Sequence, residues 1–310
     1  MTRSVVFGLG SNVGSRVAFL RAAAQLFSEA FHGDVRVAQV RLTEPVGPAQ
    51  PDFANTALLV RTEARPEDLL ALALRIEEKL GRVRTQRWGP RTIDVDVLWV
   101  EGEVHQSETL SIPHARLHER AFALAPLLEL CPDAVDPRTG GALAAFLRGC
   151  VDVQRGSPQA WEAQFATREI TDHTADQGFE VTALDRADLL AGCAEALAHT
   201  MVRPVGVRMP RMLAIEAASP SGQDFADDDE RMVTWLSEVL FRLDSDRFAA
   251  RRVCVVQDGP RVIKGFALGE PLDVLRHECA THVKAVTWHD LHVGPSANGE
   301  SWLGRVIVDV

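Results

Sequence analysis

Arg82-Val-Arg-Thr-Gln-Arg-Trp-Gly-Pro-Arg-Thr-Ile-Asp-Val-Asp-Val-Leu-Trp-Val100 is the stretch on which the reading of the chain turns. Arg82, Arg84, Arg87 and Arg91 come first, and Asp94 and Asp96 then alternate with Ile93, Val95 and Val97. A period of two predicts a strand that carries both carboxylates on one face. Two carboxylates so placed repel each other unless positive charge lies between them. A hard divalent cation is the usual solution, and Mg²⁺ takes one or two carboxylates together with phosphate oxygens. Arginines just upstream suit bidentate clamping of the same phosphates. The alternative is a solvated strand edge beside a basic loop, the ordinary state of exposed carboxylates. The four arginines and the Trp88-Gly89-Pro90 turn weigh against it.

Upstream of that strand, Arg65-Pro66 opens a helix running to about Leu80, with Glu77 near its end. Before it, Ser4–Leu9 reads as a strand, Gly10–Gly14 as a turn and Arg16–Phe31 as a helix with Ser15 as candidate N-cap. The Gly-rich turn is open to two readings, tight turn or ligand contact, and it lacks the Lys-Ser/Thr of a P-loop. Val35–Leu42 reads as a strand, and Thr43–Asp52 as a Pro-rich loop long enough to suggest binding. Phe53–Arg61 reads as a further strand. Phe53 beside Asn55 fits either a core aromatic or a stack on a flat, hydrogen-bonding heterocycle. The order strand, helix, strand, strand, helix, strand predicts a ferredoxin-like α+β fold. Ala121–Leu130 reads as another helix.

At 310 residues the chain is expected to hold about two domains. Its 46% hydrophobic and 25% charged residues are those of an ordinary globular protein. The first residues lack the pattern of a signal peptide and no long apolar run occurs, so a cytoplasmic protein with no membrane partner is expected. Five scattered cysteines form no C-x-x-C pair, which argues against a disulfide framework or a zinc knuckle. The net charge of −10 divides into −1 for residues 1–155 and −9 for residues 156–310. An acidic second half is ill suited to gripping a nucleic-acid backbone, so no direct nucleic-acid contact is expected.

Gln154–Gln159 is polar and rich in Gly, Ser and Pro, which marks the start of a linker. The expected division is a first domain over 1–155, a linker over 156–167 and a second domain over 168–310. In the second half, Arg186–Met201 reads as a helix and Met212–Ala217 as a strand. Asp227–Glu230 forms the acidic start of another helix. Strands are expected at 251–257, 261–268, 282–293 and 301–310. Asp172, His173 and Asp176 crowd one loop, and Asp309 sits beside the terminal carboxylate. Only a fold could unite Asp176 with Asp309, and together they would make an oxygen-rich cation site.

Residues 1 to about 150 closely resemble 6-hydroxymethyl-7,8-dihydropterin pyrophosphokinase. The likeness runs through Gly8-Leu-Gly-Ser-Asn12, Thr43-x-Pro45-x-Gly-Pro48, Pro51-Asp-Phe-x-Asn55, Gly81-Arg-Val-Arg84, Arg87-Trp-Gly-Pro-Arg-Thr-Ile-Asp-Val-Asp96, Pro113-His114 and Arg120-x-Phe122. It implies Mg-dependent transfer of the β,γ-pyrophosphoryl unit of ATP to the pterin alcohol in folate biosynthesis, with AMP released. By this resemblance Asp94 and Asp96 would hold two Mg²⁺, and Arg82, Arg84 and Arg91 would balance phosphate charge. Mg²⁺ near the hydroxymethyl oxygen would lower its pKa, so no dedicated side-chain base is required. Glu77, Arg84, Trp88, His114 and Arg120 would contact the nucleotide. Asn55, with backbone groups near Thr43 and Pro45, would hydrogen-bond the pterin edge, and Phe53 and Phe122 would stack on its faces. The family often has tyrosine where Phe53 stands.

Residues 168–310 resemble the archease family through His173-Thr-Ala-Asp-Gln-Gly178, Gly269-Glu270, Val283-Lys-Ala-Val-Thr-Trp-His289 and Val306-Ile-Val-Asp-Val310. The resemblance implies a second α+β domain that binds a divalent cation, Ca²⁺ being a candidate, through Asp176 and Asp309. It also implies an RNA ligase as the partner to be activated. The rival expectation is a pterin step, such as the dihydroneopterin aldolase reaction, with His173, Lys284 and His289 as acid/base candidates. A shared pathway would then account for the fusion.

Overall fold

The structure is a computed structural model that describes residues 2–45, 48–82, 89–150, 154–161, 166–173, 176–297 and 299–310, with the backbone alone at 156, 166–173 and 176. Two compact units divide the chain, Met1–Trp161 and Glu162–Val310. No helix among the described residues is long and apolar enough to cross a membrane.

The first unit runs β1 (Arg3–Ser11), α1 (Arg16–Ala30), β2 (Val35–Val37), β3 (Val40–Thr43), β4 (Phe53–Thr62), α2 (Pro66–Lys79) and β5 (Asp94–Val100). A small hairpin of β6 (His105–Gln106) and β7 (Ser111–Ile112) follows, then α3 (Ala121–Leu130) and β8 (Gln154–Gln159). The sheet order is β5-β1-β4-β3-β8, with β2 also on β4, and each pairing is antiparallel. This is the expected ferredoxin-like arrangement, with β1 buried between β4 and β5. Alternation along the strands gives each face its own core. Val6, Leu59 and Leu98 pack with Leu124 and Leu127 of α3 on one face. On the other, Phe7 meets Phe27 of α1 with ring centroids 4.6 Å apart. Helix α2 starts at Pro66, whose missing N–H costs nothing in a first turn, and has Glu67 and Asp68 there and Lys79 at its end.

Three local expectations change. Ser15 makes no side-chain cap bond; instead its carbonyl accepts from the Phe19 N–H at 3.0 Å. Val35–Leu42 is not one strand. It breaks at Ala38–Gln39, where the Gln39 N–H donates to the Glu129 carboxylate at 2.8 Å in place of a ladder bond. Gln154–Gln159, polar enough to read as a linker, is a strand on β3. An open sheet edge recruits backbone groups whatever the side chains, and Pro158 is tolerated on an edge strand.

The second unit runs β9 (Ala166–His173), β10 (Asp176–Ala183), α4 (Arg186–Met201), β11 (Arg211–Ala218), α5 (Asp228–Ser245), β12 (Phe248–Asp258), β13 (Val262–Pro271), β14 (Ala285–Val286), β15 (His292–Pro295) and β16 (Trp302–Asp309). One sheet has the order β14-β16-β10-β9, with β15 also on β16, and a second has β11-β13-β12. Both helices start on capping aspartates: Asp185 accepts from the Asp188 N–H at 2.9 Å, and Asp227 from the Glu230 N–H at 2.8 Å. Trp235 of α5 is fully buried, its indole N–H donating to the Leu190 carbonyl at 3.0 Å. It reaches so near β13 that a Cβ at Gly265 would stand 2.9 Å from the ring and 2.4 Å from the Cys254 carbonyl oxygen. The strand expected over 282–293 is split into β14 and β15, because Asp290 takes a positive φ of 47° that interrupts extension.

Candidate active site

The cavity forms where β1 runs between β5 and β4. Register places Gly8 opposite Asp96 and Gly10 opposite Asp94 on one side, and Gly10 opposite Asn55 on the other. Both aspartates, Phe53, Asn55 and Thr43 line it, joined by Arg91, Arg120 and Phe122 from the flanking segments. Glycine at position 10 is a steric requirement, because a Cβ there would lie 2.8 Å from Asn55 Oδ1. Asn55 is buried and its Nδ2 donates to Thr43 Oγ1 at 2.7 Å, while Oδ1, facing Gly10, has acceptor capacity left among the described residues.

Arg82 and Arg91 take opposite oxygens of Asp94, at 2.6 Å from Oδ1 and 2.8 Å from Oδ2. Behind them Glu77 is 4% exposed; its Oε1 accepts from the Val95 N–H at 2.9 Å and from the Arg82 guanidinium. Glu77 therefore couples the end of α2 to β5 and orients Arg82. A buried carboxylate without a cation costs several kcal/mol, so the two charges are set together. Asn12 anchors the backbone of Arg91 instead. It accepts from the Arg91 N–H at 2.8 Å, and its own N–H donates back to the Arg91 carbonyl at 3.1 Å. Its Nδ2 donates to Gln50 Oε1 at 3.0 Å and to the Pro51 carbonyl at 3.2 Å.

Asp96 has no such guanidinium partner within ion-pair distance among the described residues. Burial first, and the Asp94 carboxylate second, push its pKa well above the usual carboxylate range, against the opposing charges of Arg120 and Arg82. That is a donor set a hard cation fits: two oxygen-bearing side chains two residues apart on one strand, one of them without a guanidinium partner among the described residues. No group of three or more His, Cys, Asp or Glu side chains forms a metal cage among the described residues, and Mg²⁺ beside phosphate takes only one or two carboxylates. Burial, aided by the Arg120 charge, lowers His114 to about 4, which leaves it neutral near pH 7. Its Nδ1 accepts from the Arg116 N–H at 3.2 Å, so the proton resides on Nε2.

The structure thus gathers Thr43, Phe53, Asn55, Arg91, Asp94, Asp96, Arg120 and Phe122 around one cavity, with Arg82 ion-paired to Asp94 at its back. Glu77, Pro45 and His114 stand outside the lining. Arg84, Arg87 and Trp88 lie outside the described residues. Sequence reasoning left Gly10 and Asn12 in a turn open to two readings and Glu44 and Gln50 in a binding loop without individual roles, and it gave no role to Gly8. The signal that could have found the glycines is their period of two, the same as that of the aspartates opposite them.

In the second unit, Asp176 and Asp309 are directly opposite each other in the β10–β16 ladder, and Asp176 is also opposite His173 across β9–β10. Ala285 of β14 pairs with Asp309 from the other side, and Lys284 Nζ donates to the Val310 carbonyl at 2.7 Å. The Asp176 and His173 side chains are outside the described set.

Two family models match the chain: 7,8-dihydro-6-hydroxymethylpterin-pyrophosphokinase over residues 6–132 and the Archease protein family over residues 169–310. The 2-amino-4-hydroxy-6-hydroxymethyldihydropteridine pyrophosphokinase of Bacillus subtilis is 43% identical over 135 residues, 42% of this chain and 80% of its own length. That of Methylorubrum extorquens is 45% identical over 138 residues, 44% of this chain and 86% of its own. A protein of Methanobacterium thermoautotrophicum solved in solution is 26% identical, covering 46% of this chain and 98% of its own, with a TM-score of 0.37.

Proposed function

The chain belongs, through its first unit, to the 7,8-dihydro-6-hydroxymethylpterin-pyrophosphokinase family, and we propose that this unit transfers pyrophosphate from ATP to 6-hydroxymethyl-7,8-dihydropterin in folate biosynthesis. The observation that carries the reading is the cavity that sets Asp94 and Asp96 across β1 from Asn55, with Phe53 and Phe122 in the same lining.

The pterin enters on the Asn55 side. With Nδ2 committed to Thr43, Asn55 Oδ1 accepts from a ring N–H, and Phe53 and Phe122 supply apolar faces to stack on. ATP lies on the Asp94 side. Asp94 and Asp96 would hold two Mg²⁺, whose charge offsets that of the phosphates and lowers the pKa of the nearby alcohol. Arg82 and Arg91, held by Glu77 and Asn12, stand where guanidinium groups can donate to phosphate oxygens. A bond forms between the hydroxymethyl oxygen and the β-phosphorus of ATP, the bridge from that phosphorus to the α-phosphate oxygen breaks, and AMP leaves. The alcohol proton passes to solvent; neutral His114, outside the lining, is not required as its acceptor. Fixed donors aimed at developing phosphoryl charge are the chief lever in such transfers. The test is AMP formation from ATP, Mg²⁺ and the pterin alcohol by the intact chain. No AMP above an enzyme-free control would sink the assignment.

For the second unit we propose a divalent-cation site at Asp176 and Asp309, supported by their opposed register, and activation of an RNA ligase as its role. Calorimetric titration of the chain with Ca²⁺ and Mg²⁺, and ligase guanylylation with and without the chain, test the two parts separately. Release of glycolaldehyde from 7,8-dihydroneopterin without any effect on the ligase would favour the pterin alternative.

A further inference from the structure

β8 lies beyond residues 6–132, the stretch that matches the pyrophosphokinase family, yet it completes the sheet on the side of β3. Its register sets Gln154 opposite Thr43 and Arg155 opposite Leu42. Thr43 is the last residue of β3, and the connection to β4 leaves from it. Arg155 reaches both ends of that connection. Its Nη2 is 2.9 Å from the Glu44 carboxylate and its Nε is 2.8 Å from the Asp52 carboxylate. Both acids adjoin the cavity: Thr43 and Glu44 line it at one end of the connection, and Phe53, next to Asp52, lines it at the other.

We propose that Arg155 is a positioning residue for the pterin side of the cavity: it holds Glu44 and Asp52, and through them Thr43 and Phe53, at the separation that admits a flat heterocycle. The inference rests on the pyrophosphokinase reading of that cavity. Two carboxylates at the mouth of a site repel each other, and a planar guanidinium between them turns repulsion into a bridge. A lysine ammonium is a point charge on a flexible stem and cannot present the same fork to two partners. The Asp52 end has a second anchor, since the Arg16 guanidinium donates to the Asp52 carbonyl at 2.9 Å, and Gln50 and Pro51 are held by Asn12. For Glu44, Arg155 is the ion-pair partner the structure gives, and the pairing offsets a negative charge that would otherwise face a neutral ring.

All three side chains are partly exposed, so each pair is individually weak and the effect belongs to binding rather than to folding. In the full chain, Arg155→Ala is expected to raise the KM for the pterin alcohol about three- to tenfold while kcat and the KM for ATP stay within about twofold. Arg155→Lys should recover part of the loss. The wild-type advantage should shrink in about 0.5 M salt, where the Debye length falls to a few Å. A second readout needs no activity: hydrogen exchange at residues 48–53 should quicken in Arg155→Ala with an unchanged melting temperature. Were the wild type to make no AMP, the enzymatic reading would fall while exchange still decided whether the bridge exists. Unchanged pterin KM and unchanged exchange would overturn the proposal. So would a fall in kcat alone, or an equal loss in Gln154→Ala, which would make β8 a structural edge and nothing more.

Discussion

The two units each hold a pair of aspartates, and the pairs are built differently. Asp94 and Asp96 are two residues apart on β5, so strand geometry alone puts them on one face. The counterions of Asp94 come from close by: Arg91 three residues before it, and Arg82 three residues past the end of α2. Asp176 and Asp309 stand 133 positions apart, and only the β10–β16 ladder sets them opposite each other. A site made within one strand tolerates change elsewhere in the fold. A site made by register disappears if that register slips by a single residue.

The largest expected effect falls on the local pair. Asp96→Ala should lower kcat for AMP formation by about a thousandfold or more, read in a steady-state assay, since it removes charge control at the reacting phosphates. Loss of less than about tenfold would break the comparison by showing that β5 does not carry the chemistry. Next, Arg82→Ala should cost about a hundredfold in kcat. Glu77→Gln should cost less, because it frees a guanidinium that is still present.

Glycine sharpens the contrast, because one chemical change reads out binding in one unit and folding in the other. Gly10→Ala forces Asn55 from its place and should raise the pterin KM about tenfold with little change in melting temperature. Gly265→Ala drives a methyl group into Trp235 and the Cys254 carbonyl, and should destabilise the second unit by about 2 kcal/mol, seen in chemical denaturation.

The smallest effect is shared. His114 in the first unit and His199 in the second are both lowered to about 4, chiefly by burial. Their unfolded forms bind protons below about 6.5 while the folded forms stay neutral until about 4. Stability is therefore complete above pH 6.5 and falls as pH drops from 6.5 to 4. Asp136 and Glu270, one in each unit, are held near 2 by their arginine partners and by backbone N–H donors. Their contribution is present above the ordinary carboxylate range and is lost only as pH falls toward 2. Thermal melts at pH 7, 5 and 3 that showed one unit insensitive to acid would separate the two.

The α2–β5 segment was legible because period, charge and turn residues agree over a short span, and that span supplies Arg91, Asp94 and Asp96 to the cavity. The same local reading failed at Gln154–Gln159. Polar composition reports what side chains prefer, whereas β8 exists because β3 had backbone groups left to pair. It failed again at 282–293, where alternation continues through Trp288 and His289 although both are exposed and Asp290 turns the chain.

The sequence by itself determined the ferredoxin-like order of the first unit, the strand with its two aspartates and the arginines beside it, because each follows from spacing between near neighbours. Tertiary structure alone decided that Asn12 would anchor Arg91, that Glu77 would lie behind Arg82, that Arg155 would reach Glu44 and Asp52, and that Asp176 would meet Asp309. Apart from Glu77 and Arg82, which are five residues apart, those contacts join residues far apart in the chain, and the loop-closure entropy they cost is met only once the sheets have formed.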